Sequence, residues 1–203
     1  MRKRAAAALA TAILAVAGCF DEPEPAYKTV PAESRLYLND KGLSDLKSVD
    51  LAKVGDYLNL DRNALTNVDE VAALTGLKWL RLNDNRLVSL PDLKPLVNLR
   101  RIYLKNNRFA AVPSPLKDLP SLTDIDLSGN PITEVPEWLA KKEGLENLSL
   151  SRTRITKLPA DLSAWKSLKT LQLGDLRLGP EEMARIRSVF DPKRNPLGTA
   201  VVF

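Results

Sequence analysis

Apolar residues recur along this chain in one string, and its clearest copy is Leu77–Leu87, L-K-W-L-R-L-N-D-N-R-L. Leu80 and Leu82 alternate with larger or charged neighbours, the period of a short strand with one face buried. Asn85 falls where that strand turns away. Its side-chain amide can satisfy backbone groups that would otherwise be buried in the turn without partners. The same spacing returns with the strand-centre residue at Leu36, Leu58, Leu80, Ile102, Ile125, Leu148 and Leu171, in steps of 22, 22, 22, 23, 23 and 23 residues. A leucine follows two places on each time, from Leu38 to Leu173. The turn position holds Lys41, Asn63, Asn85, Asn107, Asn130, Thr153 and Leu176.

Seven in-register copies of L-x-x-L-x-L-x-x-N-x-L resemble the leucine-rich repeat family, over about Arg35–Phe190. The resemblance implies an α/β solenoid, a right-handed superhelix with a parallel sheet on its concave side. Irregular or short helical crossings are expected outside, where Pro91, Pro113, Pro136 and Pro159 do little harm by lacking a backbone donor. In such a stack each turn buries its leucines against the next rather than around one globular core. Asn63, Asn85, Asn107 and Asn130 are then a structural ladder. Beyond Gly179, Pro180 at a first helical position, two acids in the first turn, and Met183, Ile186 and Val189/Phe190 on one face predict an amphipathic helix over Pro180–Phe190. Thr199–Phe203 is apolar enough to add an edge strand or to pack under that helix. The expected organisation is a leader at 1–18, a tether at 19–34, the repeats at 35–179 and a C-terminal cap at 180–203.

The leader has basic Arg2-Lys3-Arg4, an apolar run Ala5–Ala17 and then Gly18-Cys19. At 13 residues that run is short for a membrane span, which needs about 20. Val16-Ala17-Gly18-Cys19 resembles the lipobox of bacterial lipoproteins, which implies acylation of Cys19 and a lipid-anchored chain in the cell envelope, on the outer membrane or a periplasm-facing leaflet. Cys19 is the only cysteine, so no internal disulfide forms. Residues 20–34, F-D-E-P-E-P-A-Y-K-T-V-P-A-E-S, carry three prolines and four acids, a composition that favours extended chain over packing. The formal charge of +5 falls to +2 once the three leader bases are removed, which makes no case for nucleic acid.

Chemistry is sparse. The chain has no histidine, which excludes Ser-His-Asp and Cys-His pairs and any histidine metal site. No cofactor is expected beyond the lipid on Cys19, and enzyme is the last of the readings. Asp124 and Asp126 flank Ile125 and share one strand face, a carboxylate pair whose plainer reading is two solvated acids. The residues flanking each buried Leu or Ile form the concave face. Over the first four repeats these include Arg35, Tyr37, Tyr57, Trp79, Arg81, Arg101 and Tyr103, with Lys105 next along its strand. Aromatics and Arg supply most of the energy in protein interfaces. They are also good strand residues that pair across neighbouring strands, so cross-strand packing stays open as the alternative. Trp138 and Trp165 fall in the outer crossings as packing residues. The family resemblance implies a protein partner on the concave face, with Asp124 and Asp126 at its far side. An envelope glycan such as peptidoglycan, or a structural adhesion role, are the alternatives.

The leader yields a direct test. Cys19→Ala is expected to abolish labelled fatty-acid incorporation and leave an unacylated precursor. Incorporation at the wild-type level would remove the lipoprotein reading.

Overall fold

The structure, a computed structural model, describes residues 34–191 and 198–203. The leader, Cys19 and residues 20–33 of the tether lie outside the described residues. Strands are three residues each: β1 Arg35–Tyr37, β2 Tyr57–Asn59, β3 Trp79–Arg81, β4 Arg101–Tyr103, β5 Asp124–Asp126, β6 Asn147–Ser149, β7 Thr170–Gln172 and β8 Ala200–Val202. They form one parallel sheet in chain order. The register aligns Leu36, Leu58, Leu80, Ile102, Ile125, Leu148, Leu171 and Val201 in a single column. Thr199–Phe203 therefore takes the edge-strand alternative. Its step is longer because the helix α2, Pro180–Val189, intervenes.

The core is a leucine stack rather than a ball. Leu58, Leu60, Leu80, Leu82, Leu104, Leu127, Leu148 and Leu150 are wholly buried between turns. Leu36, Leu38 and Leu43, in the first repeat, are only partly buried, and among the described residues that turn has a strand neighbour on one side, β2. The crossings carry 3-10 turns at Asp69–Ala73, Ser114–Asp118 and Ser163–Ser167, and a single α-helical turn, α1, at Glu137–Ala140. Pro113 and Pro136 sit immediately before two of these, where a fixed φ suits the entry and no donor is lost. Trp165 is fully buried and donates from Nε1 to the Leu139 carbonyl at 3.0 Å, and Trp138 packs against the stack from outside.

Each strand ends in a reversal that the sequence string does not spell out. The residue before the ladder position adopts left-handed backbone in every repeat: Asp40, Arg62, Asp84, Asn106, Arg152 and Asp175 at φ between 52° and 59°, and Gly129 at 69°. Asp and Asn tolerate this region, whereas Arg62 and Arg152 pay in strain for a fixed turn. At Gly129 a Cβ would collide with the Asn106 amide oxygen, which is itself held by a bond from Asn106 Nδ2 to Asp84 at 2.7 Å.

The turn folds inward onto the ladder amides. Asn107 Nδ2 donates to the carbonyls of Leu82 at 2.9 Å, Leu104 at 3.0 Å and Lys105 at 3.2 Å, while its Oδ1 accepts Leu87 N–H at 3.0 Å. Asn85 repeats the pattern toward Leu60, Leu82, Asn83 and Leu65, and Asn130 toward Leu104, Leu127, Ser128 and Phe109. Asn63 accepts from Lys41 and Leu43 N–H of the first repeat. Thr153 reaches only the Leu150 carbonyl of its own repeat, at 2.8 Å.

At the C-terminal end, α2 is the crossing of the seventh turn and closes the outer backbone of the sixth. Glu182 accepts Leu158 N–H at 2.8 Å, and Arg185 donates to the carbonyls of Leu158, Pro159 and Ala160 at 3.1, 3.1 and 3.2 Å. Ile186 and Phe190 are buried beneath it, with Met183 and Val189 half-buried beside them.

Asn107→Leu leaves one buried N–H and part of three carbonyls without partners, an expected loss of about 1–3 kcal/mol. A urea midpoint unchanged from wild type would show that this position does not hold the turn.

Candidate functional site

The concave face is set by strand alternation. With Leu or Ile pointing inward at each strand centre, the first and third residues of every strand point out, and parallel in-register pairing stacks like positions strand upon strand. Large side chains at adjacent positions therefore lie against one another. Tyr37 and Tyr57 meet with ring centroids 5.1 Å apart, Tyr57 and Trp79 at 5.1 Å edge to face, and Trp79 and Tyr103 at 5.9 Å. The stack crosses the sheet from β1 to β4.

This packing decides what the rings do. Tyr57, Trp79 and Tyr103 are 3%, 7% and 5% exposed, forming a second small core on the concave side, while Tyr37 is 46% exposed. Aromatic pairs of this geometry contribute about 0.5–1.5 kcal/mol each beyond area burial. Three of the four rings thus take the cross-strand packing alternative, whatever else the face does. Burial, with the Asp124 carboxylate adding to it, pushes the Tyr103 phenol up to about 12. Trp79 Nε1 is buried and has no hydrogen-bond acceptor among the described residues.

The arginines are held above the rings. The Arg101 guanidinium lies 5.1 Å from the Trp79 ring centroid, and that of Arg81 lies 5.6 Å from Tyr103. Arg81 Nε also bonds Asp61 at 2.7 Å, and Arg101 faces Asp124 at 3.7 Å. Arg81 and Arg101 keep 17% and 22% of their side-chain surface, and Arg35 and Lys105 are half-buried. Asp61 is the residue whose importance the sequence reading missed. It is 2% exposed, accepts Asn83 N–H at 2.7 Å and fixes Arg81 from the neighbouring strand. Its signal was available: it stands just past β2, one repeat below Asn83.

The expectation of two solvated acids on β5 is corrected. Asp124 and Asp126 are 5% and 2% exposed. Asp124 accepts from Asn147 Nδ2 at 2.7 Å and Thr123 Oγ1 at 2.5 Å, and Asp126 accepts Ser128 N–H at 2.9 Å. Arg101 and Tyr103 stand in register with them on β4, large enough to cover them, and Asn147 and Ser149 on β6 are polar enough to bond them. Burial raises the Asp126 carboxyl above the usual carboxylate range, opposed by bonds from Ser128 and by the Lys105 charge. Burial raises Asp61 as well, against the pull of Arg81. Among the described residues no group of three His, Cys, Asp or Glu could hold a metal ion, and no helix is long and apolar enough to cross a membrane.

The family model for the leucine rich repeat matches residues 75–132 and again residues 97–155. The fold is a leucine-rich-repeat solenoid. The matched span carries Trp79, Arg81, Arg101, Tyr103 and Lys105, while Arg35, Tyr37 and Tyr57 precede it. Such repeats are typically binding scaffolds for proteins rather than enzymes. No curated protein matches the chain.

Asp126 yields a pH prediction. Its folded-state pKa lies above the unfolded value, so the folded chain binds the proton first and stability rises as pH falls toward the unfolded value. Asp126→Asn removes the charged, buried form. Its urea midpoint is expected above wild type at pH 7, with the gap narrowing by pH 4. A gap that is constant with pH would contradict a buried, ionising Asp126.

Proposed function

We propose that this leucine-rich-repeat solenoid is a membrane-anchored protein of a bacterial cell envelope that binds a protein partner on the N-terminal half of its concave face. One observation carries the reading: Arg35, Arg81, Arg101 and Lys105 stand over or beside a preformed aromatic stack, with Tyr37 half exposed at its end. Guanidinium groups fixed by Asp61, Asp124 and the rings lose little freedom on binding, which lowers the ordering cost of an interface. The chemistry suits an acidic partner surface. Beyond β4 the face changes to Asp124, Asp126, Asn147, Ser149, Thr170 and Gln172 and loses its basic character. Anchoring rests on the leader and Cys19, where each acyl methylene contributes about 0.8 kcal/mol to membrane attachment.

The glycan alternative is less well served. Sugars stack on open ring faces, and only Tyr37 is more than a tenth exposed in the stack. A purified soluble form that sediments with cell-wall material would favour it nonetheless.

Two measurements test the protein-partner reading. A photo-crosslinking residue in place of Tyr37 is expected to capture a defined protein in cells, and one in place of the outward Val88, 63% exposed, is not. With that partner in hand, Arg101→Ala with Lys105→Glu is expected to weaken binding at least thirtyfold, about 2 kcal/mol. Asn147→Ala with Gln172→Ala is expected to change it far less. A folded Arg101/Lys105 double variant that binds as tightly as wild type would place the partner elsewhere.

A further inference from the structure

The net charge of the solenoid lies on one flank. Two columns run there along the stack, the left-handed residue before each ladder position and the residue just after it. Together they carry Arg62, Arg86, Arg108, Arg152, Arg154 and Arg177 against Asp40, Asp84 and Asp175. The rest of the described chain balances, with eighteen basic and eighteen acidic residues. All six arginines are exposed, and no aromatic residue interrupts the two columns.

Backbone bonds fix these columns from turn to turn. Arg62 and Arg152 N–H donate to the carbonyls of Asn83 and Gly174 in the next turn, at 2.9 and 2.8 Å. Arg86, Arg108 and Arg154 N–H donate to Leu65, Leu87 and Ile132 in the turn before, at 2.9, 2.8 and 2.8 Å. Arg86 and Arg108 therefore stand at matched places on successive turns, as do Arg154 and Arg177, about 5 Å apart at the usual strand spacing.

The fold gives most of these arginines nothing to do. Arg62 grips Asp40 with two bonds of 2.6 Å, but the other five have no side-chain bond, ion pair or ring contact among the described residues. Elsewhere only Arg100 shares that state: Arg35 has a partner, Arg81, Arg101 and Arg185 are ion-paired, and Arg187 lies over the Phe203 ring. Like charges at matched places repel, and Arg152 adds the strain of left-handed backbone at φ 55°. Neither stabilises the stack. An anion facing the row relieves the repulsion, and guanidinium forks bond phosphate oxygens in pairs. The row follows an outward edge for about 20 Å and offers no ring on which a base could stack, so a flat array of phosphates suits it better than a nucleic-acid strand.

We infer that this arginine flank rests on the phosphate headgroups of an anionic membrane. The flank lies where each strand turns away, so the strands then point their C-terminal ends at the membrane. The concave face opens sideways and stays free for a partner. This extends the membrane reading of the proposed function from its acyl anchor to the solenoid itself, and it needs no acyl chain.

Vesicle sedimentation of the purified full chain carrying Cys19→Ala tests this, since no acyl chain then contributes and the leader is common to every variant. With vesicles of phosphatidylcholine and phosphatidylglycerol, replacing Arg86, Arg108, Arg154 and Arg177 together by Gln is expected to weaken binding at least about thirtyfold. Replacing Lys47, Lys53, Lys117 and Lys141 by Gln removes the same charge from other surfaces and is expected to weaken it by less than about threefold. Both variants alter exposed side chains, and their urea midpoints show whether the fold is kept. Equal loss in the two folded variants would reduce the effect to net charge and overturn the inference. Equal binding of the unaltered flank to phosphatidylcholine alone would do the same. If the arginine variant loses binding to soluble polyphosphate but keeps its binding to vesicles, the row serves a polyanion and the membrane assignment fails. Failure here leaves fatty-acid labelling at Cys19 untouched, and loss of that labelling leaves this vesicle comparison untouched.

Discussion

A solenoid of three-residue strands must turn its backbone sharply once per repeat, and each turn buries polar groups that helices and wide sheets would pair. The ladder asparagines meet that requirement. One amide bonds three carbonyls and one N–H across two successive turns, as Asn107 does with Leu82, Leu104, Lys105 and Leu87. The left-handed residue before each ladder position aims the chain at it. The parallel hydrogen-bonded ladder sets the spacing between strands, and hence the closeness of like side chains on both faces, and the column holds the turns that carry it. Where Lys41, Thr153 and Leu176 replace Asn, the stack relies on other contacts: Asn63 serves the first turn, and α2 seals the outer side of the sixth.

The same spacing builds the concave face. Strands close enough to bury leucines on one side force Tyr57, Trp79 and Tyr103 together on the other. The stack is then a stabilising element and a platform at once. It holds Arg81 and Arg101 in defined positions, and Asp61 and Asp124 fix the same guanidinium groups from adjacent strands. The face presents the edges of these cations and Tyr37 rather than a row of open rings. The face changes character between β4 and β5, where buried carboxylates bonded by Ser, Thr and Asn take over from the rings.

How much of this was legible depends on whether a property repeats in the letters. Strand centres and ladder positions were readable because identical residues return at fixed steps, and β1 to β7 fall on the strings that predict them. Val201 was ambiguous, since α2 breaks the step and an apolar pentapeptide fits either edge or core. Burial on the concave face was not legible. It depends on the sizes of neighbours 22 or 23 residues away, so Trp79 and Asp126 are both covered although alternation alone places them outward. The left-handed column was hidden for a different reason. Gly129, Asn106 and the aspartates signal it, but Arg62 and Arg152 obey it only because the turns above and below leave no other path.

Amide hydrogen exchange on the intact chain tests most directly whether the asparagine column holds the stack. The N–H groups of Leu65, Leu87 and Phe109 each donate to a ladder Oδ1 from the next turn, at 3.1, 3.0 and 3.2 Å. If the column is the constraint on which the fold depends, these three exchange only through cooperative opening, with a free energy equal to that of denaturant unfolding. Exchange of the three at rates typical of exposed loops, in a chain that remains folded, would contradict the account.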